Sequence, residues 1–462
     1  MSLGFLETFE FLLNWTYHLV WGPTLLILLM GIGIYLTVAL KGLQFRYLPY
    51  ALKLVFGNKE KEGVGDISHF ESLMTALAAT IGIGNIAGVA TALAIGGLGA
   101  LFWMWVTALI GMAVKYAEAI LAVKYRTKDE KGEMCGGPMY FIKHGLGWKK
   151  LSFSFALLGA IGAFGGGNML QANSVADVMK TMFHVDPAVT GVIVAVLSGL
   201  TLLGGIKSIG KVASLLVPLM ATLYIGGALC IILVNIDQVP LAFYKIFTYA
   251  FTGQAAFGGF VGSTLATAIQ VGISRGVMTS EAGLGTASIA AAAAKTDLPG
   301  RQALVSMTGC FLATIIMCTA TGLVLAVTDA FGSLDENGKL LNGASMTLHA
   351  FQSVFPWGGY VVTIGLILFA FTTLLGWAYY GEKCIEFILG EKSVIFYRIL
   401  FTLMIIPGAV LELDVVWKIS DICNGLMAFP NLIGIMALSQ TVIQETKLFL
   451  KVLNRELVSS IE

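Results

Sequence analysis

Apolar residues run almost unbroken through eleven stretches of this chain, near 22–40, 67–95, 100–123, 152–182, 188–205, 212–235, 257–294, 302–328, 357–381, 394–411 and 416–443. About 20 apolar residues in a helix cross the roughly 30 Å of hydrocarbon in a bilayer. The pattern therefore predicts an all-α polytopic membrane protein of about eleven transmembrane helices. The seventh stretch is too long for one straight crossing, so it predicts a broken segment followed by an extra cytoplasmic helix. Ahead of the first stretch, Phe5, Phe9 and Leu12 fall at helical spacing and predict a short interfacial helix ended by Gly22-Pro23.

Composition agrees with a lipid solvent. The chain is 57% hydrophobic and 12% charged, where a soluble domain carries about 25% charged residues, and its mean hydropathy is +0.85. A net charge of +1 gives no electrostatic case for a nucleic-acid partner. The first twenty residues hold Glu7 and Glu10 but no Lys or Arg, so a positively charged signal-peptide start is missing. The six cysteines form no CxxC pair and no Cys/His cluster, which leaves metal chemistry and a disulfide framework unsupported.

Alternate connections carry 22 of the 28 basic residues, among them Lys59 and Lys61, Lys124 to Lys150, and Lys447 to Arg455. The opposite side keeps Lys180, Lys245, Lys339 and Lys418 and is richer in Asp186, Asp237, Asp335, Glu336 and Asp414. Basic loops face the cytoplasm. The expectation is a multi-pass protein of the cell membrane with its N-terminus outside and its C-terminus cytoplasmic. The lipid bilayer is its partner, and oligomeric state is not legible. Loop 329–345 reads as an ordinary exposed turn.

Two irregularities carry functional information. The second stretch reads Ile81-Gly82-Ile83-Gly84-Asn85, and the seventh reads Gln270-Val271-Gly272-Ile273-Ser274-Arg275-Gly276. Mid-membrane glycines weaken a helix by about 1 kcal/mol each, and freed backbone is tolerated in a membrane only where it lines a cavity or is buried in protein. Close helix packing through small residues is the alternative for each segment. With the first stretch set aside, each segment opens a set of five spans, and an odd number inverts the second set relative to the first. Broken helices at matching places then point to a midplane binding site. Gly82-Ile83-Gly84-Asn85 is also weakly echoed by Gly283-Leu284-Gly285-Thr286.

Across residues 20 to 445 the sequence resembles the alanine or glycine:cation symporter family. The resemblance rests on Gly84-Asn85-Ile86-Ala87-Gly88-Val89-Ala90-Thr91, Gly99-Ala100-Leu101-Phe102-Trp103-Met104-Trp105-Val106, Gly136-Gly137-Pro138-Met139-Tyr140 and Glu281-Ala282-Gly283-Leu284-Gly285-Thr286-Ala287, followed by Lys295-Thr296-Asp297. Ile83, Ser288 and Ala291 depart from the residues common there. The resemblance implies the leucine-transporter fold, a 5+5 inverted repeat with one extra N-terminal helix. The divisions are 1–66 (interfacial helix, first span and loop), 67–235 (first repeat), 257–443 (second repeat) and 444–462 (cytoplasmic tail). It further implies sodium-coupled import of a small neutral amino acid, alanine or glycine, with sodium as co-transported ion.

A zwitterion needs donors for its carboxylate, acceptors for its ammonium and a wall that limits its side chain. The positive end of a half-helix supplies donors, here the amides of Ile83, Gly84 and Asn85 beside Gly82 and Thr80. Carbonyls around 78–81 and 270–274, with Gln270, Gly272 and Ser274, supply acceptors. The resemblance places sodium between the carbonyls of Ala78 and Ile81 and the hydroxyls of Thr372 and Thr373, with a second position near Thr80 and Asn85. The two hydroxyls could equally bond their own helix. Phe164, Asn168 and Gln171 share a helical face beside three glycines, as a pocket wall or as a helix–helix contact. Trp377, one turn past Thr373, caps a small cavity or anchors at the membrane interface.

Charged residues inside spans are functional by default. Arg275 and Glu281 read as a cytoplasmic-side gate or structural pair, and Lys115 and Glu118 as an i,i+3 pair. No Asp near the breaks offers a proton relay, which favours sodium, although a proton-coupled transporter of the same fold remains the rival. Channel-type filter loops or charge rings are not visible. Neither is the carboxylate, Ser/His or metal set of an enzyme.

Overall fold

The computed structural model describes residues 2–57, 63–255, 262–334, 338, 340–411 and 414–459. Several expected features lie outside these residues: the start of the seventh stretch at 257, the basic residues Lys59, Lys61 and Lys339, and Asp335 and Glu336 of the polar loop. Helices dominate. The first three are α1 (Ser2–Val20), α2 (Pro23–Ala39) and α3 (Leu43–Phe56), and a bend at Trp21-Gly22 separates α1 from α2, where Pro23 sits at the first helical position.

Next come α4 (His69–Thr80), a 3₁₀ turn (Ile83–Asn85) and α5 (Ala87–Gly96), then α6 (Gly99–Lys124), α7 (Pro138–Leu146), α8 (Lys149–Phe164), a π turn (Gly165–Met169), α9 (Leu170–Phe183), α10 (Pro187–Leu203), α11 (Gly205–Val234) and α12 (Val239–Thr252). The second half holds α13 (Leu265–Ser280), α14 (Ala287–Ala292), α15 (Pro299–Cys310), a π segment (Phe311–Cys318), α16 (Thr319–Val327), α17 (Gly343–Val354), α18 (Gly358–Leu389), α19 (Ser393–Val410), α20 (Asp414–Ala437) and α21 (Ser439–Ser459). Eight helical segments among the described residues are long and apolar enough to cross a membrane. The broken α4–α5 unit, α10 and α13 are shorter, and with them the eleven expected spans are accounted for.

Local signals explain the ends that matter. Ser68 caps α4, its hydroxyl accepting from the Glu71 N–H at 3.1 Å while the Glu71 carboxylate accepts from the Ser68 N–H at 2.9 Å, a full capping box. Between α6 and α7 a small hairpin pairs β1 (Thr127–Lys128) with β2 (Met134–Cys135) in antiparallel register. It docks on the last turns of α18. There the ammonium of Lys383, 3% exposed, meets Asp129 at 3.3 Å and Glu386 at 2.9 Å. Two buried carboxylates compensate one buried cation, the condition under which a desolvated charge is tolerated.

Two expectations change. The helix runs continuously through Gln270–Gly276, inside α13. Gly272 and Gly276 serve packing: a Cβ at Gly272 would stand 2.5 Å from the Ala100 carbonyl oxygen, and one at Gly276 would stand 2.9 Å from the Thr107 Cβ, so both press α13 onto α6. The chain breaks instead at 281–286, the segment whose echo of Gly82–Asn85 looked weak. Lys115 and Glu118 do not pair with one another, because each is committed to that break.

Candidate functional site

The first break follows from capping and sterics. α4 ends as Ile81 leaves the helix at φ −83° and ψ 88°. The Gly82 N–H then donates to Asn85 Oδ1 at 3.2 Å, and the Asn85 N–H donates to the Gly82 carbonyl at 3.1 Å. Asn85 also donates through Nδ2 to the Ala313 carbonyl at 2.8 Å, and Thr321 donates to the Asn85 carbonyl at 2.8 Å. Asn85 thus staples the break to the π segment of the neighbouring helix, and it does not line the cavity described below. Its N–H is used within the turn. The N–H groups of Ile83 and Gly84 have no acceptor among the described residues and stand at the positive end of α5.

The second break is held from behind by α6. Glu281 adopts a left-handed conformation at φ 54°, and Gly283 and Gly285 follow at φ 90° and 83°, values that glycine takes without steric cost. Lys115 Nζ donates to the Ser280 carbonyl at 2.8 Å, where α13 ends. One turn on, Glu118 Oε1 accepts from the Gly283 N–H at 3.0 Å and from Asn431 Nδ2 at 2.7 Å. The Glu281 carboxylate accepts from the Thr286 hydroxyl at 3.0 Å. Cation on carbonyl and carboxylate on amide is the arrangement that satisfies backbone groups freed in a membrane.

Both breaks open on one cavity of about 440 Å³. Thr80, Gly82, Ile83 and Gly84 line it from the first break, Glu281 and Leu284 from the second, Gly166 and Gln171 from the third long span, and Thr373 and Trp377 from α18. Gln171 is fixed there by donating to the Gly166 carbonyl at 2.9 Å. The cavity reaches toward Thr91, exposed Asp177 and Gly343 at one end of the bundle. Arg275 lies on this wall within α13, in the same cavity as Asp421, and no ion pair joins it to Glu281 among the described residues. The expected pairing of Arg275 with Glu281 is therefore not formed.

Other expected residues lie off the cavity. Phe164 packs edge-on to Tyr397. Asn168 donates to the Phe401 carbonyl at 2.5 Å, a contact with α19. Gln270 is exposed, and neither it, Gly272 nor Ser274 lines the space. Conversely, Asp177, Thr279, Asp421 and Asn424 line it without having been singled out in the sequence. Asp421 and Asn424 share one face of α20 at i,i+3, a spacing that could have paired them, but Asp177 on α9 and Thr279 on α13 have no sequence relation to them.

Oxygen ligands converge where α4 ends against α18. The Thr373 hydroxyl lies 3.1 Å from the Ala78 carbonyl and 2.8 Å from that of Phe369, which Thr372 also reaches at 3.1 Å. Thr372 lies 3.5 Å from the Met220 sulfur as well. A Cβ on Gly82 would stand 2.6 Å from Thr373 Oγ1, so the hydroxyl sits against the break itself. Carbonyl and hydroxyl oxygens without a formal negative charge suit a hard monovalent cation. Phe369 lies one turn back on α18, so both hydroxyls do bond their own helix, the alternative the sequence left open, and Thr373 reaches the Ala78 carbonyl besides. Thr80 donates to the Ala76 carbonyl at 2.7 Å.

Residues 6–461 match the family model described as the sodium:alanine symporter family. The chain belongs to that family. A sodium/alanine symporter, AgcS, from Methanococcus maripaludis is 55% identical to this symporter over 456 residues, covering 97% of this chain and 99% of its own. A probable sodium/glutamine symporter, GlnT, from Bacillus subtilis is 36% identical, covering 96% and 91%. Among solved structures, this symporter superposes on MhsT in complex with L-phenylalanine with a TM-score of 0.61 at 13% identity, covering 84% of this chain and 93% of that one. At that identity the likeness concerns the fold alone, the leucine-transporter fold.

Proposed function

We propose that this symporter carries alanine or glycine together with sodium into the cell by alternating access. The observation that supports the reading most is two interrupted helices facing one cavity, with an oxygen cluster at the end of α4. The free N–H groups of Ile83 and Gly84 receive the substrate carboxylate. Carbonyls where α4 and α13 end, with Glu281 beside them, accept from its ammonium. Trp377, Gly166 and Leu366 bound its side chain. Sodium lies among Ala78, Ile81, Thr372, Thr373 and Phe369 and draws α4 toward α18.

The described conformation has its cavity reaching the end of Thr91 and Asp177, away from most basic loops. With basic loops cytoplasmic, the N-terminus outside and the chain in the cell membrane, that conformation faces outward. Coupling then requires each ligand to bind one conformation better than the other. The test is alanine and glycine uptake into proteoliposomes under an imposed sodium gradient. Uptake that ignores sodium and follows a pH gradient overturns the sodium assignment in favour of a proton.

A further inference from the structure

The end of the bundle opposite the cavity is fastened by main chain. Residues 64–67, which lead into α4, lie against residues 293–296, which follow α14. The N–H of Asp66 donates to the Ala293 carbonyl at 2.8 Å, that of Lys295 to the Ile67 carbonyl at 2.7 Å, and that of Thr296 to the Val64 carbonyl at 3.3 Å. A Cβ on Gly63 would stand 2.5 Å from the Thr296 carbonyl carbon, so no side chain fits at that position. The inner halves of both interrupted helices are thereby stitched together.

One side chain spans the seam. Arg126, just past α6, donates through one guanidinium nitrogen to the Ala292 carbonyl at 2.9 Å and the Ala294 carbonyl at 2.8 Å, and through the other to the Val64 carbonyl at 2.7 Å. Three charge-assisted bonds from a rigid, permanently charged fork reach both sides. None of these residues lines the cavity.

We propose that Arg126 is a positioning residue for transport: it sets how often the seam parts, and hence how much of the symporter is ready to take sodium and substrate from the outer side. This rests on the sodium-coupled reading above. Parting of the seam costs all three bonds at once, so their loss shifts the population toward the inward-open form. Apparent affinity falls in proportion to the fraction that remains competent.

The experiment compares wild type, Arg126→Ala and Arg126→Lys in proteoliposomes for the sodium and alanine dependence of uptake, with Ser72→Cys in each background. Ser72 is 1% exposed and donates to the Ala290 carbonyl just inside the seam. The expected results are a sodium KM raised roughly fivefold or more in Arg126→Ala, partial rescue by Arg126→Lys, and faster alkylation of the cysteine at 72 from the inner side. A lowered maximal rate with unchanged KM and unchanged alkylation shows a merely structural role and overturns the proposal. The alkylation readout needs no substrate. Absence of sodium-driven uptake in wild type therefore counts against the functional reading, while equal alkylation in all three backgrounds counts against the seam.

Discussion

Glu118 accepts from the Gly283 N–H at 3.0 Å, so a carboxylate toward the C-terminal end of α6 substitutes for the helical partner that the second break removes. The same oxygen takes the Asn431 amide. Glu118→Ala leaves the Gly283 N–H buried without its acceptor, at a cost of about 1–3 kcal/mol, and leaves the Asn431 amide with only the Gly283 carbonyl at 2.8 Å. We expect thermal unfolding in detergent to shift down by several degrees, with Glu118→Gln falling between the variant and wild type because it keeps one carbonyl acceptor. Equal melting of wild type and Glu118→Ala would remove Glu118 from the support of the break.

At the oxygen cluster, Thr373→Ala deletes the one hydroxyl that touches both the Ala78 and Phe369 carbonyls. The expected result is a sodium KM about tenfold higher, corresponding to loss of about 1.4 kcal/mol, with Thr373→Ser near wild type. The measurement is initial alanine uptake against sodium concentration. An alanine variant with unaltered sodium dependence would place the cation elsewhere.

Trp377 lines the cavity and packs edge-on to Tyr380 at 5.8 Å between ring centroids. Trp377→Ala removes most of that wall. Competition by leucine or methionine against labelled alanine is expected to strengthen by about tenfold, since each methylene accommodated is worth roughly 1–3 kcal/mol. An unchanged competition panel would show that another wall sets the size limit.

At the end of the bundle that carries most of the basic loops, Arg301 binds Asp297 at 2.8 Å and Glu456 at 3.0 Å, tying α21 to the start of α15. Burial pushes the Asp297 carboxyl upward, but hydrogen bonds and charge from Arg301 outweigh it and hold the pKa below the ordinary value. A depressed pKa contributes stability above the unfolded value, and that stability is lost as pH falls through the folded one. The protection of α21 amides relative to their intrinsic exchange should therefore stay high at neutral pH and fall below about pH 4. Arg301→Met should show low protection at both pH values. Protection that stays high in Arg301→Met would assign the docking to Phe449 and its apolar neighbours alone.

The spans and the first break were legible because lipid imposes long apolar runs, and because Gly82, Gly84 and Asn85 together deprive a helix of support. The second break was misplaced for a physical reason. Glycines at four-residue spacing, as at Gly272 and Gly276, read equally as a weak point and as a packing face. Only the partner surface of Ala100, Trp103 and Thr107 decides between them. The true break at Glu281–Thr286 depends on Lys115 and Glu118, which lie more than a hundred and fifty residues away in sequence. Ala78 and Thr373 were predicted through resemblance and do meet in space. Asn85 and Asn168 turned toward neighbouring helices, since an amide in a membrane satisfies itself on whichever carbonyl lies nearest.

The 32-residue helix α18 has no interruption from Gly358 to Leu389. It carries Thr373 at the oxygen cluster, Trp377 at the pocket wall and Lys383 in the ion cluster beneath the hairpin. Such a rod has no joint at which to absorb a displacement. A tilt imposed at Thr373 must therefore reappear, as leverage, at the hairpin about three turns further along.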